Sequence, residues 1–279
     1  MKKSIYKQAG KAWIMLLVPI VFLVVFMLYP LTKIILLSFK DDTGFTGTYF
    51  MEVFTNATYY KVILITLKTA LIVTFVSLVM AYPVAYVMTI CKKRTANMIM
   101  LFVMIPFWTS FLVRTYSWMA LLQTNGIINQ FLMSIKVIAE PLQLMYNSFG
   151  VTVGMVHVMI PYMVLSLYSV MESIDSNYVL AAQNLGSGAF RTFFEVYFPM
   201  SVPGVASGSV LVFVLSIGFY ITPSLLGGTQ NTMIAQLIQT QVSKLINWNL
   251  ASAIAVVVLV ITLVIIITVK KVFKLEKIF

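Results

Sequence analysis

Six stretches of this chain run for about twenty residues or more with almost no charge. They cover roughly Ala12–Leu31, Val62–Ile90, Met98–Leu122, Phe149–Met171, Val202–Leu226 and Ala251–Val269. A helix needs ~20 mostly apolar residues to cross the hydrocarbon of a bilayer. In that solvent every backbone N–H and C=O must be satisfied internally, and long apolar runs do this as helices. Of the 279 residues, 61% are hydrophobic and only 10% charged, too few charges to cover a water-facing surface. The expected fold class is all-α, a polytopic membrane protein of about six transmembrane helices.

Five of the runs are continuous. The fifth is interrupted by Pro203, Gly204, Gly208, Gly218 and Pro223, and Pro83, Pro106 and Pro161 also fall inside apolar segments. Such residues mark either packing kinks or backbone that opens onto a cavity. The first run follows Lys2, Lys3, Lys7 and Lys11, as a signal peptide would. It is too long for one, and Ser38-Phe39-Lys40 offers no small-x-small cleavage site, so an uncleaved first helix is expected. The chain divides into residues 1–61 (N-terminus, first helix, outer loop), a core at 62–270 and a basic tail at 271–279.

With the N-terminus inside, the basic clusters at Lys2–Lys11, Lys92-Lys93-Arg94 and Lys270–Lys277 all fall on the inner side. The positive-inside rule then sets both termini in the cytoplasm of a bacterial cell membrane. The net charge of +11 thus reports topology and lipid headgroups rather than nucleic acid. The outer loops containing Ile127 and Phe131, and Ile234, Leu237 and Ile238, are candidates for short interfacial helices.

Catalytic signatures are missing. The sequence holds no GxxxxGK[ST], HExxH or GxSxG. One cysteine, Cys91, and one histidine, His157, cannot by themselves build a metal site. His157 reads as a packed, hydrogen-bonded side chain against the alternative of a proton relay. The acidic residues lie in loops or at helix ends, which argues against a membrane enzyme and against an ion-coupled transporter with buried carboxylates. An energy source outside the chain is expected.

The segment Asp175-Ser-Asn-Tyr-Val-Leu-Ala-Ala-Gln-Asn-Leu-Gly-Ser-Gly-Ala-Phe-Arg-Thr-Phe-Phe-Glu-Val-Tyr-Phe-Pro199 is the most informative loop, within residues 172–200. Ser176 or Asn177 can cap a short helix that runs to Leu185, and Gly186 or Gly188 can end it. Phe190, Phe193, Phe194 and Tyr197 would line one side of a second helix, stopped before Pro199. The pair is either an interfacial helix on lipid or a helix offered to a groove on a protein partner. Arg191 is its one basic residue, and lipid would favour more.

The spacing Ala181-Ala182-x3-Gly186-x9-Val196-x-Phe198-Pro199 resembles the EAA loop of ABC-importer permeases. Leu180 stands where that family has glutamate. The resemblance implies a Type I importer permease fold in which Leu180, Ala181, Ala182, Gly186, Phe190, Phe194 and Pro199 belong to a cytoplasmic coupling helix docked on an ATPase. With Leu180, apolar docking survives but an ionic link does not. Pro106-Phe-Trp-Thr-Ser-Phe-Leu-Val-Arg114-Thr-Tyr-Ser-Trp118, Asn125-Gly-Ile-Ile-Asn129, Thr222-Pro-Ser-Leu-Leu-Gly-Gly228 and Asn247-Trp248 resemble the spermidine/putrescine permeases. That likeness implies a second homologous permease, an ATPase dimer that uses ATP and Mg, and an extracytoplasmic polyamine-binding protein. It implies no cofactor on this chain. Permeases for iron or thiosulfate share parts of the pattern, and a scaffold would need neither the structured loop nor the broken fifth helix.

A polyamine is a flexible cation, and a cation over an aromatic face gains ~0.5–2 kcal/mol. Trp108, Tyr116, Trp118, Tyr162, Tyr168 and Tyr220 are the candidates for its passage, against the plainer reading of each as an interfacial or packing residue. Lys68 and Arg114 either snorkel to the interface or attract acidic residues on the binding protein.

Overall fold

The computed structural model describes residues 16–41 and 44–272. The N-terminal lysines, the start of the first run at Ala12–Met15 and nearly all of the basic tail lie outside the described residues. The order is α1 (Leu16–Ser38), a two-stranded hairpin β1 (Lys40–Asp41) and β2 (Gly44–Phe45), α2 (Thr48–Thr55), α3 (Ala57–Ile90) and α4 (Lys93–Trp108). There follow α5 (Phe111–Leu122), α6 (Ile127–Ser134), α7 (Ser148–Met171), α8 (Ser176–Asn184) and α9 (Ala189–Ile217). The order closes with α10 (Ile221–Leu226), α11 (Ile234–Ser243) and α12 (Trp248–Val272). Among the described residues, five helices are long and apolar enough to cross a membrane, and six spans result if the bent pair α4 and α5–α6 counts as one.

The chain clusters into two units, Met1–Tyr59 with Ile238–Val260 and Tyr60–Leu237 with Ile261–Phe279. In the first unit the Phe39 and Phe50 rings pack 4.6 Å apart, and Gln241 Nε2 donates to the Tyr59 hydroxyl at 3.3 Å. Asn249 donates to the Lys40 carbonyl, which ties the hairpin to the start of α12.

In the second unit α7 is the central helix. Asn147 caps it, accepting from Gly150 N at 3.0 Å, and Met155, Met159, Met163, Leu167 and Met171 bury one long face. Met88 joins the same core. The pliable methionines fill the core between the packed helices. Against this face α9 comes very close. A Cβ on Gly204 would lie 3.0 Å from the Val170 Cβ, and one on Gly208 would lie 2.8 Å from the Met163 sulfur. Small residues at such crossings let backbones approach, which is how helices associate where lipid offers no hydrophobic drive. The short helices α6 and α11 occupy the two loops read above as interfacial.

Three expectations change. The third span is not one helix, since α4 and α5 meet at 93°. Pro106 has no N–H for the Phe102 carbonyl, and the helix stops within a turn. Thr109 and Ser110 are extended (ψ 147° and 137°), and the Thr109 hydroxyl donates to the Pro106 carbonyl at 2.8 Å. The fifth span begins at Ala189 rather than Val202, and Pro199 does not stop a helix. A π turn over Phe193–Tyr197, closed by Phe198 N donating to the Phe193 carbonyl, sets Pro199 in the opening turn of the following α segment. At the other end the fifth span stops at Gly218, and Phe219–Tyr220 lead into the separate α10.

Candidate functional site

The segment from Glu172 to Pro199 hangs from the end of α7. Asp175, rather than Ser176 or Asn177, is its cap, accepting from Asn177 N at 2.9 Å. Helix α8 then ends at Gly186, whose φ of +86° is the left-handed conformation that glycine adopts at low cost. Gly188 is extended and opens α9.

The aromatic residues of α9 do not share one side. Phe190 and Phe194 point out, their rings 4.6 Å apart and both exposed. Phe193 and Tyr197 point in, against Tyr86 of α3, with ring centroids 5.2 and 5.0 Å away. Tyr82 continues the seam with its hydroxyl 2.8 Å from Ser201 Oγ. An i,i+4 repeat puts each pair on its own stripe of the helix. So the segment is fastened to α3 by one stripe and presents the other. Leu180 and Leu185 on α8 and its end are also exposed, which extends the apolar surface.

A second fastening went unread in the sequence. Lys93 at the start of α4 pairs with Glu172, to which the Tyr168 hydroxyl also donates at 3.0 Å. These hydrogen bonds, Lys93 first, hold the Glu172 carboxyl below the usual carboxylate range. The pair brings the Lys92–Arg94 cluster to the same end as α8. A cleft of about 350 Å³ lies there, lined by Lys93, Tyr168, Glu172, Val179, Leu180 and Cys91. Glu172 puts a carboxylate on the same cleft as Leu180. Tyr168 belongs to this cluster and not to the passage candidates. Nothing in residue spacing announces a pair separated by 79 positions.

At the breaks in the third and fifth spans a different set gathers. The Phe111 and Phe219 rings lie 5.8 Å apart, and Thr115 Oγ1 and Thr222 Oγ1 are 3.2 Å apart. The two breaks are therefore neighbours. Phe107 carries Trp108 and Tyr162 on its ring, at 6.2 and 5.6 Å. Trp108 is 83% exposed, and Tyr116 and Tyr220 are also open. Phe107, Phe111 and Phe219, which join these positions, are missing from the residues singled out in the sequence.

Two residues change role. Trp118 is turned into the protein, its indole N–H donating to His157 Nδ1 at 3.0 Å, so it does not stand beside Trp108. His157 is the packed acceptor expected of it. Arg114 neither snorkels nor stands at a rim. It is 7% exposed, its guanidinium 4.6 Å above the Phe111 ring, and its Nε has no hydrogen-bond partner. Lys68 is exposed.

The Gly227-Gly228 pair has a steric cause. A Cβ on Gly227 would lie 2.5 Å from the Pro223 carbonyl, and one on Gly228 would lie 2.4 Å from the Tyr146 carbonyl. Tyr146 N in turn donates to the Leu226 carbonyl at 2.8 Å. The glycines let α10 dock on the backbone that leads into α7, which positions the fifth-span break.

Residues 77–272 match the family described as "Binding-protein-dependent transport system inner membrane component". The chain is 31% identical over 245 residues to the spermidine/putrescine transport system permease protein PotB of Escherichia coli K12, covering 86% of this chain and 89% of that protein. It is 30% identical over 262 residues to PotB of Salmonella typhimurium SL1344, covering 91% of each. A bacterial alginate ABC transporter, solved in complex with an alginate pentasaccharide-bound periplasmic protein, shares the fold. The TM-score is 0.74 at 18% identity, covering 95% of this chain and 94% of that one.

Proposed function

Because the chain belongs to the family of binding-protein-dependent transport system inner membrane components, we propose that it is the polyamine permease of an ATP-driven importer. It is a multi-pass membrane protein and the permease subunit of an ABC importer. The cargo, the energy source and the orientation are our reading.

The observation that carries the reading is the likeness to two spermidine/putrescine permeases over at least 86% of the chain. The site is compatible with that cargo. Irregular backbone at membrane depth is tolerated only where protein or a water-filled cavity covers it. The neighbouring breaks at Thr109–Ser110 and Gly218–Tyr220 support the reading that this side of the chain faces the passage. Trp108, Tyr116, Tyr162 and Tyr220 supply aromatic faces near those breaks, and such faces attract cations without binding them tightly.

Energy enters at the opposite feature. Phe190, Phe194, Leu180 and Leu185 form an exposed apolar surface on a segment fastened to α3 and α4, and a cytoplasmic ATPase is its partner. ATP-driven closure of an ATPase dimer pushes this segment and turns the two permeases outward, toward a polyamine-loaded binding protein. ADP release resets them. Both termini are then cytoplasmic, with Lys68 toward the binding protein. ATP and Mg belong to the ATPase.

The test is uptake by reconstituted complex of this chain with its partner permease, ATPase and binding protein. ATP-dependent accumulation of labelled spermidine or putrescine is the expected result. Accumulation of iron or thiosulfate in its place would assign another cargo of the same family. No accumulation of any solute by an intact, ATP-hydrolysing complex would overturn the reading.

A further inference from the structure

Among the described residues, Arg114 is a buried charge with no account. It lies in a membrane span, 93% buried (7% exposed), and no carboxylate of the described residues pairs with it. Its Nε–H has no acceptor. The Phe111 ring beneath the guanidinium offers only a cation–π contact. A buried charge left without a hydrogen-bonding counter-ion costs several kcal/mol.

A second observation points the same way. Arg114 sits in the first turn of α5, a helix of 12 residues whose cap, Ser110, makes no side-chain hydrogen bond to it. The first helical bond is Arg114 N to the Ser110 carbonyl, so the N–H groups of Phe111, Leu112 and Val113 have no helical acceptor. Helix N-termini favour anions. The guanidinium and the helix start converge on one place, and Trp108, Leu112 and Val113 around it are exposed.

We propose that Arg114 and the start of α5 receive a carboxylate carried by a membrane span of the second permease subunit. This rests on the two-permease assembly proposed above. The acceptor has to be anionic because both features are positive, and no carboxylate of the described residues supplies it. A polyamine cargo sharpens the argument. A bare guanidinium beside the passage would repel a cation, whereas a carboxylate held against it cancels that charge. The pair would register the two permeases at the height of their breaks. Arg114 is thus a positioning residue and makes no contact with cargo.

The experiment uses the complete complex of both permeases, ATPase and binding protein. Arg114→Gln is combined in turn with Asp→Asn or Glu→Gln at each membrane-span acid of the partner. Insertion of each variant chain is checked by protease mapping, and Arg114→Lys serves as the charge-retaining variant. The expected result is that Arg114→Gln lowers recovery of the two-permease complex at least about tenfold, because it leaves the partner's carboxylate buried and unpaired. One particular amide in the partner then restores recovery to within about twofold, and Arg114→Lys keeps more complex than Arg114→Gln. Normal recovery with Arg114→Gln, or restoration by no amide, overturns the pairing. Rescue in a complex that carries no polyamine would uphold the pairing and sink the cargo. Polyamine uptake without any rescue would do the reverse.

Discussion

The hydroxyls of Tyr197 and Thr89 lie 3.0 Å apart across 108 positions of sequence. Thr89 already donates to the Tyr86 carbonyl, so the Tyr197 hydroxyl is the donor. Tyr197 is the last residue of the π turn in α9, and Thr89 is the penultimate residue of α3. The exposed segment is therefore tied to α3 by two hydrogen bonds, Tyr197 with Thr89 and Tyr82 with Ser201, and by four ring contacts of Tyr82 and Tyr86 with Phe193, Tyr197 and Phe198.

Tyr197→Phe removes that hydrogen bond and keeps the rings. It is expected to lower the stability of the purified chain by about 1 kcal/mol, read by denaturant-induced unfolding in detergent. An unchanged midpoint would mean that the hydroxyls are not coupled in the folded protein.

Gly186 sits at φ +86° with nothing within 4 Å of a Cβ position, so a substitution there meets backbone strain and no clash. Gly186→Val should cost ~1–2 kcal/mol locally and uncouple ATP hydrolysis from uptake while leaving membrane insertion intact. Gly186→Asn, which enters the left-handed region more readily, should keep most of the uptake. Equal uptake by both variants would discard the left-handed turn as the important feature.

Trp108 and Trp118 separate by role. Trp108→Ala, at an exposed position, should barely alter stability and slow polyamine uptake about fivefold, the loss of one modest cation–π contact. Trp118→Ala should destabilise the chain by about 3 kcal/mol through lost packing and the lost bond to His157. Thermal unfolding and uptake assays on both variants check this. The reverse pattern would exchange the two assignments.

Glu172 gives a pH signature. Its carboxyl is held low by Lys93 and Tyr168, so the clasp contributes stability above the free carboxyl's value of about 4.3. That contribution is lost as pH falls through the lower folded-state value. Glu172→Gln should therefore be less stable than the parent at neutral pH and converge with it on acidification. The measurement is thermal unfolding of both in detergent from neutral to acid pH. A gap that widens on acidification would contradict the clasp.

Hydropathy is a local property, and what depends on it was legible. The apolar runs located the spans, though not all of their ends, because lipid demands length and continuity from each segment on its own. The turn at Gly186 was readable for the same reason, since a left-handed residue is chosen by the backbone that surrounds it. The exposed positions of Phe190 and Phe194 were named, but their division from Phe193 and Tyr197 was not. Which stripe of a helix turns inward is set by Tyr82 and Tyr86, more than a hundred residues away.

Proline illustrates the boundary. The sequence offered Pro83, Pro106, Pro161 and Pro203 as equal candidates for a break, and all four lie inside helices. Only after Pro106 does the chain turn through 93°, beside the second break at Gly218. Pro161 lies buried within the unbroken α7.

What the sequence determined by itself was a membrane-spanning all-α chain with a structured, partly apolar loop at its basic end. What tertiary structure decided was where charge and aromatic rings stand. It turned Trp118 inward, clasped Glu172 to Lys93 and buried Arg114 at a broken span. Those outcomes depend on contacts between residues far apart in the chain, where the environment of a charge is set by what packs around it rather than by its place in the sequence.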